Sequence, residues 1–153
     1  MGARATYTFR HFDPADLPAL SEMGFKFFEQ AKLPGNFNPR TFATFWSDTL
    51  GGGVGIVLIM EHDGKPVGTI GGLIYPDPCT GNLNAQEMFW WVNEDHRGSA
   101  SSKLIDMFES VAKGRGAVCI QMIAMYGMNH RALQRYYGAR GYRPLEFAFV
   151  KEV

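Results

Sequence analysis

Apolar positions recur along the chain with two periods, every second residue or every three to four, and these periods predict strands and helices respectively. Alternation runs through ATYTFRHFD and through two apolar runs on either side of Asp63-Gly64, a dipeptide typical of tight hairpin turns. Helical spacing follows Asp13-Pro14 and Asn38-Pro39, where a capping side chain precedes proline at the first helical position. Further strands are predicted in AQEMFWWVN, AVCIQMIAMY and YRPLEFAFVKEV, and further helices in SSKLIDMFESVAKG and in HRALQRYYGAR, the last capped by Asn129.

The resulting order of elements, β-α-α-β-β-β-α-β-α-β, predicts a mixed α/β fold. The central strand–helix–strand unit should be a right-handed crossover between parallel neighbours, and the hairpin strands before it should be antiparallel. We therefore expect a single domain over residues 1–153, with a central, mostly antiparallel sheet flanked by helices. Ligands of such sheets tend to lie beyond the carboxyl ends of parallel strands, which here means residues 95–102.

Composition excludes several classes of function. The 153 residues suffice for one sizeable core, and 15 basic and 15 acidic residues cancel, which leaves no overall field for nucleic acid or an anionic membrane. No apolar run approaches the roughly 20 residues of a membrane span, and no signal-peptide pattern opens the chain. Cys79 and Cys119 lack metal-ligand spacing and give little support to a disulfide. We expect a cytoplasmic protein without nucleic-acid or membrane partners.

The corner NEDHRGSASS, between a predicted strand and the next helix, is the main candidate for a binding site. The first amides of a helix have no partners inside the helix and carry partial positive charge, so this corner suits an anion. An ordinary helix start is the structural alternative. A dinucleotide-binding loop is a third interpretation, although the GxGxxG pattern is absent.

Several short motifs, in this order, resemble those of the GNAT N-acetyltransferases. In that family a strand is followed by Q/R-x-x-G-x-G/A and a helix, and later by N-x-x-A and Y-x-x-x-G-F/Y. The matching residues of this chain are Val92, Arg97, Gly98, Asn129, Ala132, Tyr137, Gly141 and Tyr142. The chain departs from the pattern where the family usually has glycine, because Ala100 and Ser102 stand there. The spacing from Asn129 to Tyr137 is also one residue longer.

The resemblance implies an enzyme that binds acetyl-CoA and moves its acetyl group to a primary amine of a small molecule or peptide. The amine would attack directly, through a tetrahedral intermediate, and no metal is required. Backbone groups near the end of the fourth strand would hold the pantetheine arm and the thioester oxygen, and the corner amides would hold the pyrophosphate. The implied cofactor-binding residues are Trp91, Val92, Arg97, Gly98, Ser99, Ala100, Ser101, Ser102 and Asn129.

Two residues are the catalytic candidates that the resemblance implies. Glu87 would be the general base, with Gln86 as the alternative if the register differs, and an edge or salt-bridging carboxylate as the structural alternative. Tyr137 would protonate the leaving thiolate, unless its ring belongs to the core with the hydroxyl at the surface. The alternative function is a catalytically silent domain of the same fold that binds a ligand or a partner. The acceptor amine and a homodimeric state are left open by the sequence.

Overall fold

In the computed structural model, which describes residues 6–153, the strands lie side by side in chain order. The strands are β1 (Tyr7–His11), β2 (Gly55–His62), β3 (Lys65–Pro76), β4 (Leu83–Val92) and β5 (Cys119–Gln121). The helices are α1 (Leu17–Ala31), α2 (Pro39–Gly51), α3 (Ser102–Gly114) and α4 (His130–Ala139). Short 3₁₀ turns cover Pro14–Asp16, Glu94–His96 and Ser99–Ser101.

Strands β1 to β4 pair antiparallel in sequence, and β5 joins β4 in parallel after the α3 crossover. The predicted mixed, mostly antiparallel sheet is therefore confirmed. The predicted hairpin is also confirmed, because Asp63 and Gly64 connect β2 to β3 with φ values of 50° and 73°. Both central residues of such a two-residue turn need positive φ, which explains the Asp-Gly pair.

The first two helices begin at the predicted capping residues. The Asp13 side chain accepts the N–H of Ala15, and Asp16 returns a bond to the Asp13 N–H, which completes a capping box at the 3₁₀ turn before α1. The Asn38 side chain accepts the N–H of Thr41 at the start of α2. Local polar chemistry therefore fixes where the chain enters both helices.

The sheet is buried on both faces, which is why β2 is a continuous apolar run. One core lies between the sheet and α3, and β2 contributes Ile56, Leu58 and Met60 to it. The other core lies between the sheet and the α1–α2 pair, and it receives Val57 and Ile59 from β2. Each face is thus covered by a different part of the chain.

A bulge interrupts β4 at Met88. Gly71 of β3 pairs with Phe89 and Gly72 pairs with Glu87, so one residue of β4 has no partner in β3. A Cβ on Gly71 would lie 2.5 Å from the Phe89 ring, and a Cβ on Gly72 would collide with the Gln86 carbonyl oxygen and the Phe108 ring. The two glycines therefore allow the close approach that the bulge requires.

Three local predictions are wrong. Only Cys119–Gln121 of AVCIQMIAMY forms a strand, because β4 and the following chain separate beyond the pair Gln86 and Gln121. The closing strand predicted in YRPLEFAFVKEV is not formed, since residues 143–153 lie outside any sheet of the described chain. Asn129 does precede α4, but its φ is 51° and its side chain caps no amide.

Two further observations concern the described residues 6–153. Cys79 and Cys119 are both free and exposed. No helix there has both the length and the apolar character needed to cross a lipid bilayer.

Candidate active site

The candidate site lies where β4 and β5 separate. Their last paired residues are Gln86 and Gln121. Beyond this point β4 bends at its bulge and continues to Val92, while the post-β5 segment, residues 122–129, runs to α4 without joining a strand. The separation leaves one edge of β4 unpaired by sheet bonds and opens a cleft beside it.

Glu87 lies at the base of this cleft and is only 2% exposed. Its Oε2 accepts the N–H of Ile123 at 2.9 Å, and none of the ion pairs among the described residues includes it. Burial raises the pKa of Glu87 to about 8, because the one backbone hydrogen bond offsets only part of the cost of burying the charge. The carboxyl group therefore keeps its proton at neutral pH and releases it just above.

Tyr137, on α4, bonds to the backbone of Ile123 as Glu87 does. Its hydroxyl donates to the Ile123 carbonyl oxygen at 3.3 Å, and the side chain is 6% exposed. Burial and the negative charge of Glu87 both raise the pKa of Tyr137 above its ordinary value, so the phenol remains a proton donor across the neutral range. The backbone of Ile123 thus joins the two predicted catalytic side chains.

A small cavity of about 30 Å³ lies between these groups, and Glu87, Ile123 and Tyr137 contribute to its lining. Its other walls are apolar side chains: Phe27, Trp90, Met125, Met128 and Leu133. The volume admits a water-sized group with polar partners, which is the condition for an ordered water to bridge buried polar atoms.

The unpaired edge of β4 presents the backbone of alternate residues. Asn93 donates its N–H to Val67 of β3, so by alternation the backbone of Trp91 also faces β3. The backbones of Trp90 and Val92 face the open side, where the Val92 carbonyl oxygen accepts the Nε–H of Arg97 at 2.8 Å. Trp91 contributes its indole instead, since the Arg97 guanidinium lies 4.8 Å from the ring centroid.

The corner predicted to bind an anion follows β4 directly along the chain. The 3₁₀ turn Ser99–Ser101 leads into α3, and the hydroxyls of Ser101 and Ser102 donate back to the carbonyl oxygens of Gly98 and Ser99 at 2.5 and 2.7 Å. Within residues 6–153, no acceptor is bonded to the backbone N–H groups of Gly98, Ser99 or Ala100. Three successive amides are therefore available to an anion at the start of a helix.

Three further observations complete the geometry. A wider cleft of about 510 Å³ is lined by Trp91, Asn93, the Glu94–His96 turn, Arg97 and two polar residues of α1.

The exposed Asn129 stands at the end of the post-β5 segment, where its carbonyl oxygen accepts the N–H groups of Ala132 and Leu133. Within the described chain, no three His, Cys, Asp or Glu side chains gather in a way that could hold a metal ion.

Sequence reasoning missed two participants, Ile123 and Trp90. Ile123 acts through its backbone, so its side-chain type carries no signal. Trp90 presents its backbone to the open edge only because of the pairing of β4 with β3, and alternation alone does not say which set of residues faces which neighbour.

The chain matches the profile of the acetyltransferase (GNAT) family over residues 21–142, which is most of its length. It therefore belongs to this family of N-acetyltransferases, which use acetyl-CoA, and the resemblance drawn from its motifs is confirmed. No curated protein shows significant sequence similarity to the chain.

Solved structures share its fold at low sequence identity. A predicted acetyltransferase of Clostridium acetobutylicum with acetyl-CoA is 14% identical over 96% of each chain, with a TM-score of 0.79. The glucosamine-6-phosphate N-acetyltransferase of Arabidopsis thaliana is 15% identical over 96% of this chain and 98% of its own, with a TM-score of 0.72. A ribosomal-protein-alanine N-acetyltransferase of Brucella melitensis is 20% identical over 97% and 99%, with a TM-score of 0.73.

Proposed function

We propose that the protein transfers the acetyl group of acetyl-CoA to a primary amine of a small molecule or peptide. One observation carries this proposal: Glu87 and Tyr137 are both buried and both bonded to the backbone of Ile123, in the cleft where β4 and β5 separate. Burial raises the pKa of Glu87 to about 8, and the pKa of Tyr137 is raised above its ordinary value, so the phenol holds its proton. Such a pair suits a reaction that removes one proton and delivers another.

The residues beside this pair fit acetyl-CoA, which would supply the acetyl thioester. The backbone groups of Trp90 and the N–H of Val92 face the open edge of β4 and would bind an extended amide-containing arm, whereas the Val92 carbonyl oxygen is already bonded to Arg97. The three free amides at Gly98, Ser99 and Ala100 suit a pyrophosphate. Because the Ser101 and Ser102 hydroxyls bond to backbone carbonyls, they do not use up these amides, and the missing family glycines need not prevent binding.

Glu87 is the proposed base. A lysine-type primary amine has a pKa of about 10.4 and must lose a proton before it can attack a carbonyl carbon. The carboxylate of Glu87 would accept that proton, through a water in the 30 Å³ cavity, once the pH approaches its pKa of about 8. Tyr137 would donate its hydroxyl proton to the departing sulfur.

The acceptor class rests on the related structures. The wide cleft carries Glu94 and Asp95 but also Lys26 and Arg97, so its charge does not select an acceptor. Two of the similar structures are named for glucosamine 6-phosphate and for an alanine of a ribosomal protein. A screen should therefore include both amino sugars and peptide N-termini.

Calorimetric titration tests the proposal. Acetyl-CoA and CoA should bind and ATP should not, because ATP lacks the arm that the β4 edge would hold. Arg97→Glu should weaken CoA binding by placing a negative charge beside the free amides. Lys113→Glu, the matched control at the other end of α3, should not.

Equal affinities for CoA and ATP, or normal CoA binding by Arg97→Glu, would contradict the assignment of the corner. Thiol release over the amine panel then tests transfer itself. Its rate should rise as the pH increases toward about 8, where Glu87 becomes a carboxylate. Cofactor binding without transfer to any amine would favour the catalytically silent alternative.

A further inference from the structure

Helix α4, which carries Tyr137, is anchored to the rest of the described chain by side chains. Every backbone–backbone hydrogen bond that residues 129–142 make in the described chain has its donor and its acceptor inside that range. The post-β5 segment before the helix joins no strand, and residues 143–153 after it lie outside any sheet of residues 6–153. The position of α4 therefore depends on which side chains hold it and how firmly they do so.

Apolar contacts hold the helix on one side. Leu133, Tyr136 and Tyr137 pack against the core between the sheet and α3. Such contacts stabilise through the area that they remove from water and have little directional preference. The cavity of about 30 Å³ beside Leu133 and Tyr137 also leaves space for small shifts. Apolar packing thus keeps this face buried without fixing how far the helix can slide or turn.

A set of polar contacts, which we call the α3–α4 clamp, fixes the carboxyl end of the helix. It consists of Asp106 and Glu109 on α3 together with Arg140 and Tyr142 at the end of α4. The Nη2 group of Arg140 donates to Asp106 Oδ1 at 2.5 Å and to Glu109 Oε1 at 3.2 Å. The Tyr142 hydroxyl donates to the same Glu109 oxygen at 2.9 Å. Charged hydrogen bonds have defined directions, so the clamp sets position as well as contact.

Charge makes Arg140 the centre of the clamp. Asp106 and Glu109 are three positions apart and therefore neighbours on the surface of α3. Like charges at this spacing repel, and Arg140 is the only cation among the described residues that forms an ion pair with either of them. Without Arg140, two neighbouring carboxylates would face the end of α4 with no cation between them.

The clamp is joined to Tyr137 through the backbone. The Tyr137 carbonyl oxygen accepts the N–H groups of Arg140 and Tyr142 at 2.9 and 3.0 Å, and the rings of Tyr137 and Tyr142 lie 5.8 Å apart. The Tyr137 hydroxyl reaches the Ile123 carbonyl oxygen at 3.3 Å, already beyond the roughly 2.5–3.0 Å that is usual for an O–H···O bond. A small displacement of α4 is therefore enough to break this contact.

Helix α3 connects the clamp to the corner amides. Its first residue, Ser102, follows the free amides of residues 98–100, and Asp106 lies about one turn further along. Leu104 and Phe108 are 0% exposed, so this part of α3 is fixed in the core. The clamp therefore ties α4 to the same rigid element that begins at the predicted cofactor corner.

We propose that Arg140 is a positioning residue, which acts through the clamp to keep the Tyr137 hydroxyl beside Glu87 and the departing sulfur. This inference rests on the proposed function, in which Tyr137 delivers its proton to that sulfur. Arg140 has no contact with substrate or cofactor in this role. Its loss should therefore lower turnover and leave the binding of CoA unchanged.

Steady-state kinetics of Arg140→Gln, with calorimetry of CoA on the same protein, give the first test. Turnover should fall about tenfold, less than for Tyr137→Phe, because the hydroxyl is displaced and not removed, and the CoA dissociation constant should stay within about twofold. Because both bonds to α3 come from one nitrogen atom, Arg140→Lys should recover most of the loss. A normal turnover of Arg140→Gln would contradict the inference.

Arg131→Gln is the matched control for these variants. It removes the same charge from an exposed position of α4 that forms no ion pair among the described residues. Its turnover should equal that of the parent protein. An equal defect in Arg131→Gln and Arg140→Gln would show that the charge of α4 matters and the clamp does not.

A double-mutant cycle shows whether Arg140 acts through Tyr137. In a Tyr137→Phe background, Arg140→Gln should cause no further loss of turnover, because the hydroxyl that it positions is absent. Losses that multiply would mean that Arg140 supports the fold independently of Tyr137, and the inference would be wrong. Glu109→Gln keeps an oxygen for Tyr142 but loses the charge, so it should give a smaller defect of the same kind. It replaces Arg140→Gln in the cycle if that variant does not fold.

A fluorine resonance separates this inference from the proposed function. Fluorotyrosine placed at position 137 of the full chain should change its chemical shift on Arg140→Gln and keep it on Arg131→Gln, whether or not an amine is acetylated. An unchanged resonance in Arg140→Gln would overturn the inference. Normal turnover by Tyr137→Phe, with a resonance that still depends on Arg140, would instead overturn the role of Tyr137 in transfer and leave the clamp as inferred.

Discussion

Adjacent tyrosines on α4 differ in the hydrogen bonding of their hydroxyl groups. The Tyr137 hydroxyl donates to the Ile123 carbonyl oxygen, next to Glu87. The Tyr136 hydroxyl is buried without a partner among the described residues, and its ring lies 6.0 Å from that of Trp90. Neighbouring residues on a helix differ by about 100° in direction, so only one of the two hydroxyls reaches Ile123.

Tyr137→Phe should therefore lower the turnover of bound substrate by about 10²-fold, the scale of a positioned acid, with little change in CoA affinity. Steady-state thiol release together with calorimetry separates these two effects. Tyr136→Phe is the matched control, and it should keep nearly full activity because its hydroxyl makes no hydrogen bond. An active Tyr137→Phe enzyme would remove Tyr137 from the proposed mechanism.

At the scale of elements, the bulge in β4 is what joins the sheet to the site. The same region contains the Gly71–Gly72 pair, the extra residue Met88 and the last contact between β4 and β5. Glycines ordinarily weaken strand interiors, and no sequence pattern explains why two stand in succession here. The structure supplies the reason, because the Phe89 and Phe108 rings occupy the space that side chains would fill.

Gly72→Ala should destabilise the protein by about 1–3 kcal/mol, because the new methyl group meets the Gln86 carbonyl and the Phe108 ring in a packed core. Urea unfolding measures this change. Gly51→Ala is the control: it lies in α2 with nothing within 4 Å of its Cβ, and alanine is the better helix former. Equal stability of the Gly72→Ala variant and the parent would show that β4 can move without cost.

At the scale of the whole molecule, Glu87 couples the site to the stability of the fold. Its pKa is about 8 in the folded protein against an ordinary value of 4.5, so between these values the folded state holds a proton that the unfolded state releases. The free energy of unfolding should therefore decrease as the pH rises from about 4.5 to about 8. Asp16 and Glu61 act in the opposite direction and at acid pH, since hydrogen bonds from Arg10 lower the pKa of both.

Glu87→Gln tests this coupling, because glutamine stays neutral and can still accept the Ile123 N–H. Relative to the parent, the variant should gain stability steadily from pH 5 to pH 8 in urea unfolding experiments. Glu29→Gln, at an exposed position of α1, is the matched control for removing one carboxylate from the chain. A pH-independent difference for Glu87→Gln would mean that the carboxyl group is ionised throughout.

The sequence by itself determined the features that rest on nearby residues. Asp13 and Asn38 start their helices through bonds to amides two or three positions away, and Asp63-Gly64 makes its hairpin within the turn. The family motifs likewise predicted the corner at Arg97 and Gly98, because a helix start exposes its amides wherever it occurs. Alternation and helical spacing were sufficient for the order of most elements.

Only the tertiary structure decided what depends on remote partners. Strand β5 ends where it separates from β4, beyond Gln86. The raised pKa of Glu87 follows from its burial beside Ile123, 36 positions away along the chain. The alternation in YRPLEFAFVKEV predicted a closing strand, and residues 143–153 form none. A strand needs a second edge for its backbone hydrogen bonds, and no sequence pattern specifies where that edge lies.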